Sequence, residues 1–129
     1  AEEKAIRVKC AVEAYHCPVD ETELCIIIGN LFDNAIEAVK DLPDEQRQID
    51  FSIQNPNGIF RIEMSNPYED ERRKVEHHYL TTKKENTEMH GLGLMSVQKI
   101  VEKYDGLMEI SDTDNVFKVI VIFFVRGND

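Results

Sequence analysis

The sequence has 129 residues, of which 42% are hydrophobic, and this is the size and composition of one ordinary globular domain. Its 15 basic and 25 acidic residues give a net charge of −10, which argues against a nucleic-acid partner and against docking on anionic lipid, because both need a basic surface. No run approaches the roughly 20 apolar residues of a membrane-spanning helix, so we expect no direct membrane contact by this domain.

The first half of the chain is predicted to form a strand, a helix and a β-hairpin. Residues 6–14 are rich in β-forming residues, and Pro18 separates them from a long segment of helical periodicity. The sequence NPNG at residues 55–58 is typical of a tight turn between two strands. The predicted elements are a strand over 6–14, a helix capped by Asp20 or Thr22 that runs to about Lys40, and strands over 48–54 and 59–65.

The second half combines a long polar segment with a second helix and a second hairpin. Residues 67–90 are charged and poor in periodic apolar residues, so we predict a mobile lid there, since loops of this length in compact domains are usually functional. Gly93–Tyr104 has helical periodicity, and Gly106 is predicted to supply the left-handed residue that ends the helix. Strands over 107–111 and 116–125 are predicted to form a closing hairpin.

The order of these elements predicts the fold class. Strands joined by short turns pair in antiparallel fashion, and amphipathic helices bury their apolar stripes against a sheet. We therefore predict a single α+β domain over residues 1–129, built as a two-layer α/β sandwich in which helices cover one face of the sheet.

Three cysteines, Cys10, Cys17 and Cys25, form an odd set without a CxxC pair. We interpret them as reduced thiols, some of them buried, of a protein from a reducing compartment. A zinc site is not predicted, because no cluster of cysteine and histidine has ligand spacing.

The first predicted helix carries two asparagines at the edge of its apolar stripe. Asn30 and Asn34 lie one helical turn apart, and Glu37 follows on the same side. Asparagine is a poor helix former, so two at this spacing carry a cost. They form either a solvated polar edge or a pair of carboxamides facing a cleft, where a neutral amide oxygen can bind Mg²⁺ without repelling phosphates.

A second candidate segment lies before and at the start of the second helix. Glycine lets the backbone approach a ligand closely, and a helix N-terminus offers unpaired N–H groups and partial positive charge. Lysine supplies the positive charge that the acidic chain as a whole lacks. The segment is either a phosphate site or a tight connector, and its residues are Thr82, Lys83, His90, Gly91, Leu92, Gly93 and Leu94.

The two motifs together resemble a known superfamily. The sequence NLFDNAIEA over residues 30–38, followed by HGLGL over residues 90–94 with a polar lid between them, looks like the ATPases that include histidine kinases, gyrase, Hsp90-type chaperones and MutL-type repair proteins. Within that group the match is to the histidine kinases, and Lys83-Lys84 ahead of HGLGLMSVQKIVEKYDG is similar to the peptide-sensing, quorum-type branch. The resemblance spans essentially the whole chain and implies the Bergerat ATPase fold, whose sheet is mixed and mostly antiparallel.

The resemblance implies ATP and Mg²⁺ as ligands. Asn34 matches the asparagine whose side chain binds Mg²⁺, and Asn30 would support it. In the gyrase-like branches a glutamate stands at the Asn30 position and activates water, so its absence here favours a kinase over an ATP-hydrolysing machine. The segment 90–94 contains the loop that surrounds the phosphates, and Thr82 and Lys83 would lie in the lid near the β- and γ-phosphates.

Two positions depart from the usual histidine kinase pattern. Most members have a DxGxG motif whose aspartate bonds the adenine amino group, whereas residues 64–68 of this chain read MSNPY. Asn66 is the residue that can replace the aspartate, as in the peptide-sensing branch, because an amide oxygen can accept the same hydrogen bond. Glu37 stands where many kinases have a lysine, so the usual lysine contact to the nucleotide cannot form there.

The implied function is that of the ATP-binding catalytic domain of a two-component sensor histidine kinase. It would transfer the γ-phosphoryl group of ATP to a histidine on a separate dimerisation domain of the same parent protein, with a response regulator as downstream partner. The domain is expected in the cytoplasm, in a membrane-anchored or cytosolic sensor, and without the acceptor histidine it is expected to bind ATP but show little or no kinase activity. Two alternatives stay open: a non-catalytic interaction module of the same fold, and a protein-serine kinase of the anti-sigma type.

Overall fold

The computed structural model describes residues 5–14, 16–68 and 91–125. The described elements follow the predicted order of strand, helix, two strands, helix and two strands. A single 3₁₀ turn over Asp44–Gln46, which the sequence did not predict, follows the first helix. The other bounds are β1 Arg7–Glu13, α1 Glu21–Val39, β2 Gln48–Gln54, β3 Ile59–Pro67, α2 Gly91–Lys103, β4 Leu107–Thr113 and β5 Val116–Phe124.

The described strands form one sheet in the order β1-β2-β3-β5-β4. β1 pairs with β2 in parallel, whereas the other neighbouring pairs are antiparallel, so the sheet is mixed and mostly antiparallel, as predicted. Burial alternates along β3, where Phe60, Ile62 and Met64 are buried while Arg61 and Glu63 are half-exposed. Helices therefore cover one face of the sheet, and the predicted α+β two-layer sandwich is confirmed.

Helix α1 forms where the sequence combines an N-cap with an apolar stripe. The side chain of Asp20 accepts a hydrogen bond from the backbone N–H of Thr22 (3.0 Å), so Asp20 is the cap. The stripe packs on β2 and β3, and its burial away from water stabilises the helix. Neither described helix is long and apolar enough to cross a membrane. The buried residues of α1 are Ile27, Leu31, Ala35, Ala38 and Val39.

Both predicted β-hairpins close through pairs of left-handed residues. Asn57 and Gly58 have φ angles of 45° and 86°, and Asp114 and Asn115 have φ angles of 55° and 62°. Such pairs match the right-handed twist of the flanking strands. The second turn is tighter than predicted, because β4 continues to Thr113.

The end of α2 differs from the prediction in the residue that takes the left-handed conformation. Asp105 has a φ of 58°, whereas Gly106 is not left-handed, so the prediction for Gly106 is wrong. The N–H of Gly106 donates to the carbonyl of Val101 (2.8 Å) and ends the helix. Gly106 is needed for another reason, because a β-carbon there would lie 2.5 Å from the carbonyl oxygen of Ile122 in β5.

The sheet continues into the first residues of the predicted lid. β3 ends at Pro67, and the side chain of Tyr68 is 1% exposed. Tyr68 is therefore a core residue, which its polar sequence neighbourhood did not predict. The remainder of the predicted lid lies outside the described residues, and so do Thr82, Lys83 and His90.

The three cysteines differ from the prediction in their exposure. Cys10, Cys17 and Cys25 are free thiols, and all three are exposed, so the prediction that some are buried is wrong. The Sγ of Cys17 donates to the carbonyl of Val19 (3.3 Å). Cys17 is exposed as a residue, but its thiol is partly buried, and this raises the pKa of the thiol, while the hydrogen bond to Val19 offsets part of that effect.

Candidate functional site

The two predicted motifs meet where α1 and α2 pack side by side. The Oδ1 atom of Asn30 in α1 lies 3.1 Å from the position that a β-carbon would occupy on Gly93 in α2. At the other end of the pair, Glu23 of α1 contacts Lys103 and Tyr104 at the end of α2. The helices therefore run antiparallel, and the first turn of α2 lies beside the middle of α1.

The carboxamide of Asn30 has a defined orientation. Its Nδ2 donates to the backbone carbonyl of Ile26 one turn earlier (3.0 Å), and its oxygen faces Gly93. A β-carbon at residue 93 would press on this oxygen, because 3.1 Å is shorter than an ordinary van der Waals contact. The missing side chain of Gly93 thus lets α2 closely approach the edge of α1 that carries Asn30 and Asn34, which we call the amide edge.

Asn34 continues the same edge one turn further along α1. Its side chain is half-exposed, and within the described parts of the chain no hydrogen bond holds it. The next residue on this edge, Glu37, pairs with Lys40 (3.0 Å). The carboxamide oxygen of Asn34 can therefore take an external ligand, and a hard cation such as Mg²⁺ suits an oxygen donor of this kind. Among the described residues, no group of three or more His, Cys, Asp or Glu is placed to hold a metal ion.

Helix α2 begins at Gly91, two residues earlier than predicted, so the glycine motif forms its first turn. The first four N–H groups of an α-helix have no partner within the helix, and the helix dipole adds partial positive charge there. An anion such as a phosphate can bind these N–H groups directly. Leu94 can take part only through its backbone, because its side chain is 5% exposed and packs in the core.

Among the described residues, Asn66 is the polar side chain that is buried in the core, with 3% of its surface exposed. It lies near the end of β3 and shares the helix-covered face with Met64. Its Nδ2 donates to the carbonyl of Pro67 (2.9 Å). Its carboxamide oxygen is a hydrogen-bond acceptor, and an adenine amino group, which is a donor, would require an acceptor.

The structure thus brings only part of the predicted site together. Asn30 and Gly93 are in contact, and Asn34 lies on the edge that Asn30 begins. Asn66 lies on the face of β3 against which α1 packs. The lid residues of the predicted site lie outside the described residues, so their places near this edge stay predictions.

A second contact between α1 and α2 was not predicted from the sequence. The hydroxyl of Tyr104 donates to one carboxylate oxygen of Glu23 and accepts a hydrogen bond from the backbone N–H of Asp20 (3.2 Å). Lys103 donates to the other oxygen of Glu23 (2.6 Å). We call Glu23, Lys103 and Tyr104 the helix clamp. Glu23 and Lys103 are 80 positions apart, so no local sequence pattern predicts their contact.

The clamp shifts the pKa values of its two charged members in opposite directions. The hydrogen bond from Lys103, and then the one from Tyr104, lower the pKa of Glu23. The hydrogen bond to Glu23 and the charge of that carboxylate raise the pKa of Lys103. Both groups are therefore ionised at neutral pH, where the contact between the helices is at its strongest.

Comparison with known proteins gives a family match over most of the chain. A family model described as the GHKL domain matches residues 19–123. The chain is 26% identical over 106 residues to a probable C4-dicarboxylate sensor kinase of Halalkalibacterium halodurans, with 81% of this chain and 20% of that protein covered. It is 26% identical over 117 residues to the sensor histidine kinase DpiB of Escherichia coli, with 86% and 21% covered. The chain thus spans about one fifth of the length of these curated relatives.

Solved structures of histidine kinases share the fold. The catalytic domain of the histidine kinase ThkA superposes with a TM-score of 0.70 at 18% identity, covering 92% of this chain and 78% of that one. The mycobacterial sensor histidine kinase MprB gives a TM-score of 0.71 at 18% identity, covering 94% and 83%. The histidine kinase domain of the E. coli osmosensor EnvZ gives 0.64 at 14% identity, covering 95% and 78%. At these identities the likeness concerns the fold.

Proposed function

The chain belongs to the GHKL domain family, since the family model matches residues 19–123, and from this membership we propose that it binds Mg²⁺–ATP as the catalytic domain of a sensor histidine kinase. Its curated relatives are sensor kinases, and its fold is that of histidine kinase catalytic domains. The same proposal extends to the activity, substrates and partners of the longer parent protein that contains this domain.

One observation supports this function above the others: Asn30 and the first turn of α2 are in contact. Because of that contact, a polyphosphate bound at the N–H groups of α2 lies beside the amide edge of α1. A magnesium ion on such a polyphosphate is then within reach of a carboxamide on the same edge. Neither helix alone offers both an oxygen ligand for a cation and a binding site for an anion.

Each residue of the proposed site has a chemical role. Asn34 supplies a neutral oxygen to Mg²⁺, and Asn30 fixes the spacing between the amide edge and α2. The N–H groups of residues 91–94 bind the phosphates, with Leu94 acting through its backbone. The oxygen of Asn66 accepts from the adenine amino group. Thr82, Lys83 and His90 complete the phosphate contacts from the lid.

The proposed chemistry is in-line transfer of the γ-phosphoryl group to a histidine on a separate dimerisation domain. The attacking histidine nitrogen forms the new bond to phosphorus as the bond to the bridging oxygen of ADP breaks. Such a reaction needs positioning and charge neutralisation from the protein rather than covalent participation. This chain therefore supplies the ATP site, while the other domain supplies the acceptor and any acid or base beside it.

The partners of the proposed domain follow from that division of labour. They are ATP, the histidine-bearing dimerisation domain of the same parent protein, and a response regulator that receives the phosphoryl group. The domain would act on the cytoplasmic side, where ATP is present, in a sensor anchored to the membrane by other parts of the parent.

We also propose a place within the peptide-sensing, quorum-type branch of the histidine kinases. Two features of the sequence support it: Lys83-Lys84 precede the glycine motif, and Asn66 replaces the aspartate of the adenine site. A swap of this chain into a peptide-responsive kinase of that branch tests the assignment. Peptide-dependent phosphotransfer by the chimera would support it, and a silent chimera that still binds ATP would contradict it.

Calorimetric titration with Mg²⁺–ATP tests the proposed function. The wild type is expected to bind one nucleotide, and the affinity is expected to fall when EDTA removes the metal. Asn34→Ala is expected to weaken Mg²⁺-dependent binding by at least about tenfold, because even the loss of an outer-shell partner of a metal typically costs about 10- to 100-fold. Gln54→Ala, on an exposed residue at the end of β2, serves as the control and should bind normally.

The two alternatives give different results. A folded wild type that binds no nucleotide would indicate a non-catalytic interaction module. Phosphotransfer separates the serine kinase: mixing the chain with radiolabelled ATP and the parent's dimerisation domain should give acid-labile phosphohistidine. Acid-stable phosphoserine on a protein partner would indicate a kinase of the anti-sigma type.

A further inference from the structure

The helix clamp and the Asn30–Gly93 contact lie at opposite ends of the α1–α2 interface. On α2 they are about 15 Å apart and on α1 about 10 Å, at about 1.5 Å per residue. The two helices are thus held together near both ends of their contact. The clamp lies at the end that is remote from the proposed nucleotide.

Tyr104 is fixed on three sides. Its hydroxyl donates to Glu23 and accepts from the N–H of Asp20, the N-cap of α1. Its ring packs edge-on against Phe123 of β5, with the centroids 5.8 Å apart and the planes at 79°. Phe123 is fully buried. The clamp therefore joins the start of α1, the end of α2 and the sheet at one point.

Glu23 is shielded more than an ordinary surface acid. Its side chain is 19% exposed, and its two oxygens accept from different donors, Tyr104 and Lys103. A carboxylate that accepts two hydrogen bonds in different directions holds both donors in place. Because both donors belong to the end of α2, Glu23 limits how far α2 can slide along α1.

We propose that Glu23 and Tyr104 are positioning residues for the nucleotide site. They set the position of α2 along α1, and so the spacing between the N–H groups of the first turn of α2 and the carboxamide of Asn34. This inference rests on the proposed function. A rigid helix transmits a shift at its end to its start, and phosphate binding by backbone N–H groups is sensitive to displacements on the order of 1 Å.

Nucleotide affinity in clamp variants tests the inference. Tyr104→Phe and Glu23→Ala are expected to weaken Mg²⁺–ATP binding by roughly three- to tenfold, the range that corresponds to the net effect of one ordinary hydrogen bond. Glu23→Gln keeps an oxygen acceptor for Tyr104 and should lose less. The control is Ile49→Val in the fully buried core of β2, which lowers stability but should leave the affinity unchanged.

A second readout does not depend on the nucleotide. In the ligand-free protein, Tyr104→Phe is expected to shift the amide resonance of Gly93 and the side-chain resonance of Asn30, whereas Ile49→Val should not. Unchanged affinity and unchanged resonances in both Tyr104→Phe and Glu23→Ala would overturn the inference. A wild type that binds no nucleotide would overturn the proposed function alone, since the resonances still report on the position of α2. If Tyr104→Phe does not fold, Lys103→Gln, at an exposed position, takes its place with the same expected results.

Discussion

The carboxamide oxygen of Asn30 lies 3.1 Å from the place where Gly93 would carry a β-carbon. Two residues that are 63 positions apart in the sequence are therefore in direct contact. A side chain at position 93 would crowd this contact, because its β-carbon would force the Asn30 carboxamide or α2 to move by a few tenths of an ångström. The glycine is thus explained by packing as well as by access of a ligand to the backbone.

Gly93→Ala is expected to weaken nucleotide binding. The added methyl group must displace the Asn30 side chain or shift α2, and overpacking of this kind costs about 1–3 kcal/mol. If that strain disturbs the bound geometry, the affinity for Mg²⁺–ATP falls by about five- to 150-fold. Calorimetry measures the change, and an affinity equal to that of the wild type would show that the close contact has no role in binding.

Gly29→Ala is the matched control on α1. Nothing lies within 4 Å of a β-carbon at Gly29, which is exposed in the middle of the helix. Alanine is a better helix former than glycine by about 1 kcal/mol, so the free energy of unfolding should rise by about 0.5–1 kcal/mol. Urea denaturation measures this rise. Lower stability would mean that Gly29 makes a contact that the packing of α1 does not reveal.

Gly106→Ala is expected to destabilise the fold. Its β-carbon would lie 2.5 Å from the carbonyl oxygen of Ile122, and neither backbone can yield without breaking the pairing of β5. We expect a loss of at least about 2 kcal/mol in the free energy of unfolding. Asp105→Gly is the companion variant, because its φ of 58° suits glycine, and it should be stabilising by up to about 1 kcal/mol. An unchanged free energy of unfolding in Gly106→Ala would contradict the close approach of residue 106 to Ile122.

The stability contribution of the helix clamp should depend on pH with a defined sign. The folded-state pKa of Glu23 lies below its ordinary value of 4.5, so the contribution is present above pH 4.5 and is lost as the pH falls through the folded-state value. The pKa of Lys103 lies above its ordinary value of 10.5, so its part is present below that pH and is lost as the pH rises further. The difference in unfolding free energy between the wild type and Glu23→Gln should therefore be largest between these two values, and it should narrow on the acid side of 4.5 and on the alkaline side of 10.5. A constant difference down to pH 2 or so would mean that Glu23 is not held by its charge.

Glu37→Lys is expected to strengthen nucleotide binding. Glu37 lies one turn beyond Asn34 on the amide edge and pairs with Lys40. The substitution replaces a charge that repels the proposed phosphates by one that attracts them. The affinity should rise by about two- to fivefold at low salt and by less at high salt, since salt screens exposed charges. Glu109→Lys, on an exposed residue of β4, makes the same change of net charge elsewhere. Equal effects of the two variants would show that net charge alone is responsible.

Local signals predicted the elements well, since each depends on neighbouring residues. Asp20 caps α1 because its side chain reaches an N–H two residues later, and Asn57-Gly58 closes a hairpin because both residues tolerate a left-handed backbone. The meeting of Asn30 with the glycine motif was predicted only through the family resemblance. Periodicity by itself favoured a solvated edge for the two asparagines.

Features that depend on contacts between residues far apart in the chain could not be predicted from the sequence. Considered alone, Glu23 suits the start of a helix and Tyr104 suits an apolar face. Their mutual hydrogen bond therefore has no local signature in the sequence. Gly106 has the residue type of a helix cap, but its requirement comes from the backbone of β5. The burial of Tyr68 follows from the continuation of β3, although its neighbours in the sequence are polar.

The central claim is that one Mg²⁺–nucleotide lies between the amide edge of α1 and the first turn of α2. A two-dimensional ¹H–¹⁵N titration with Mg²⁺ and a non-hydrolysable ATP analogue tests it residue by residue. We expect saturable shifts in the side-chain amides of Asn30, Asn34 and Asn66 and in the backbone amides of residues 91–94. Shifts confined to the opposite face of the sheet, around Lys9 and Asp50, or no saturable shifts at all, would contradict the claim.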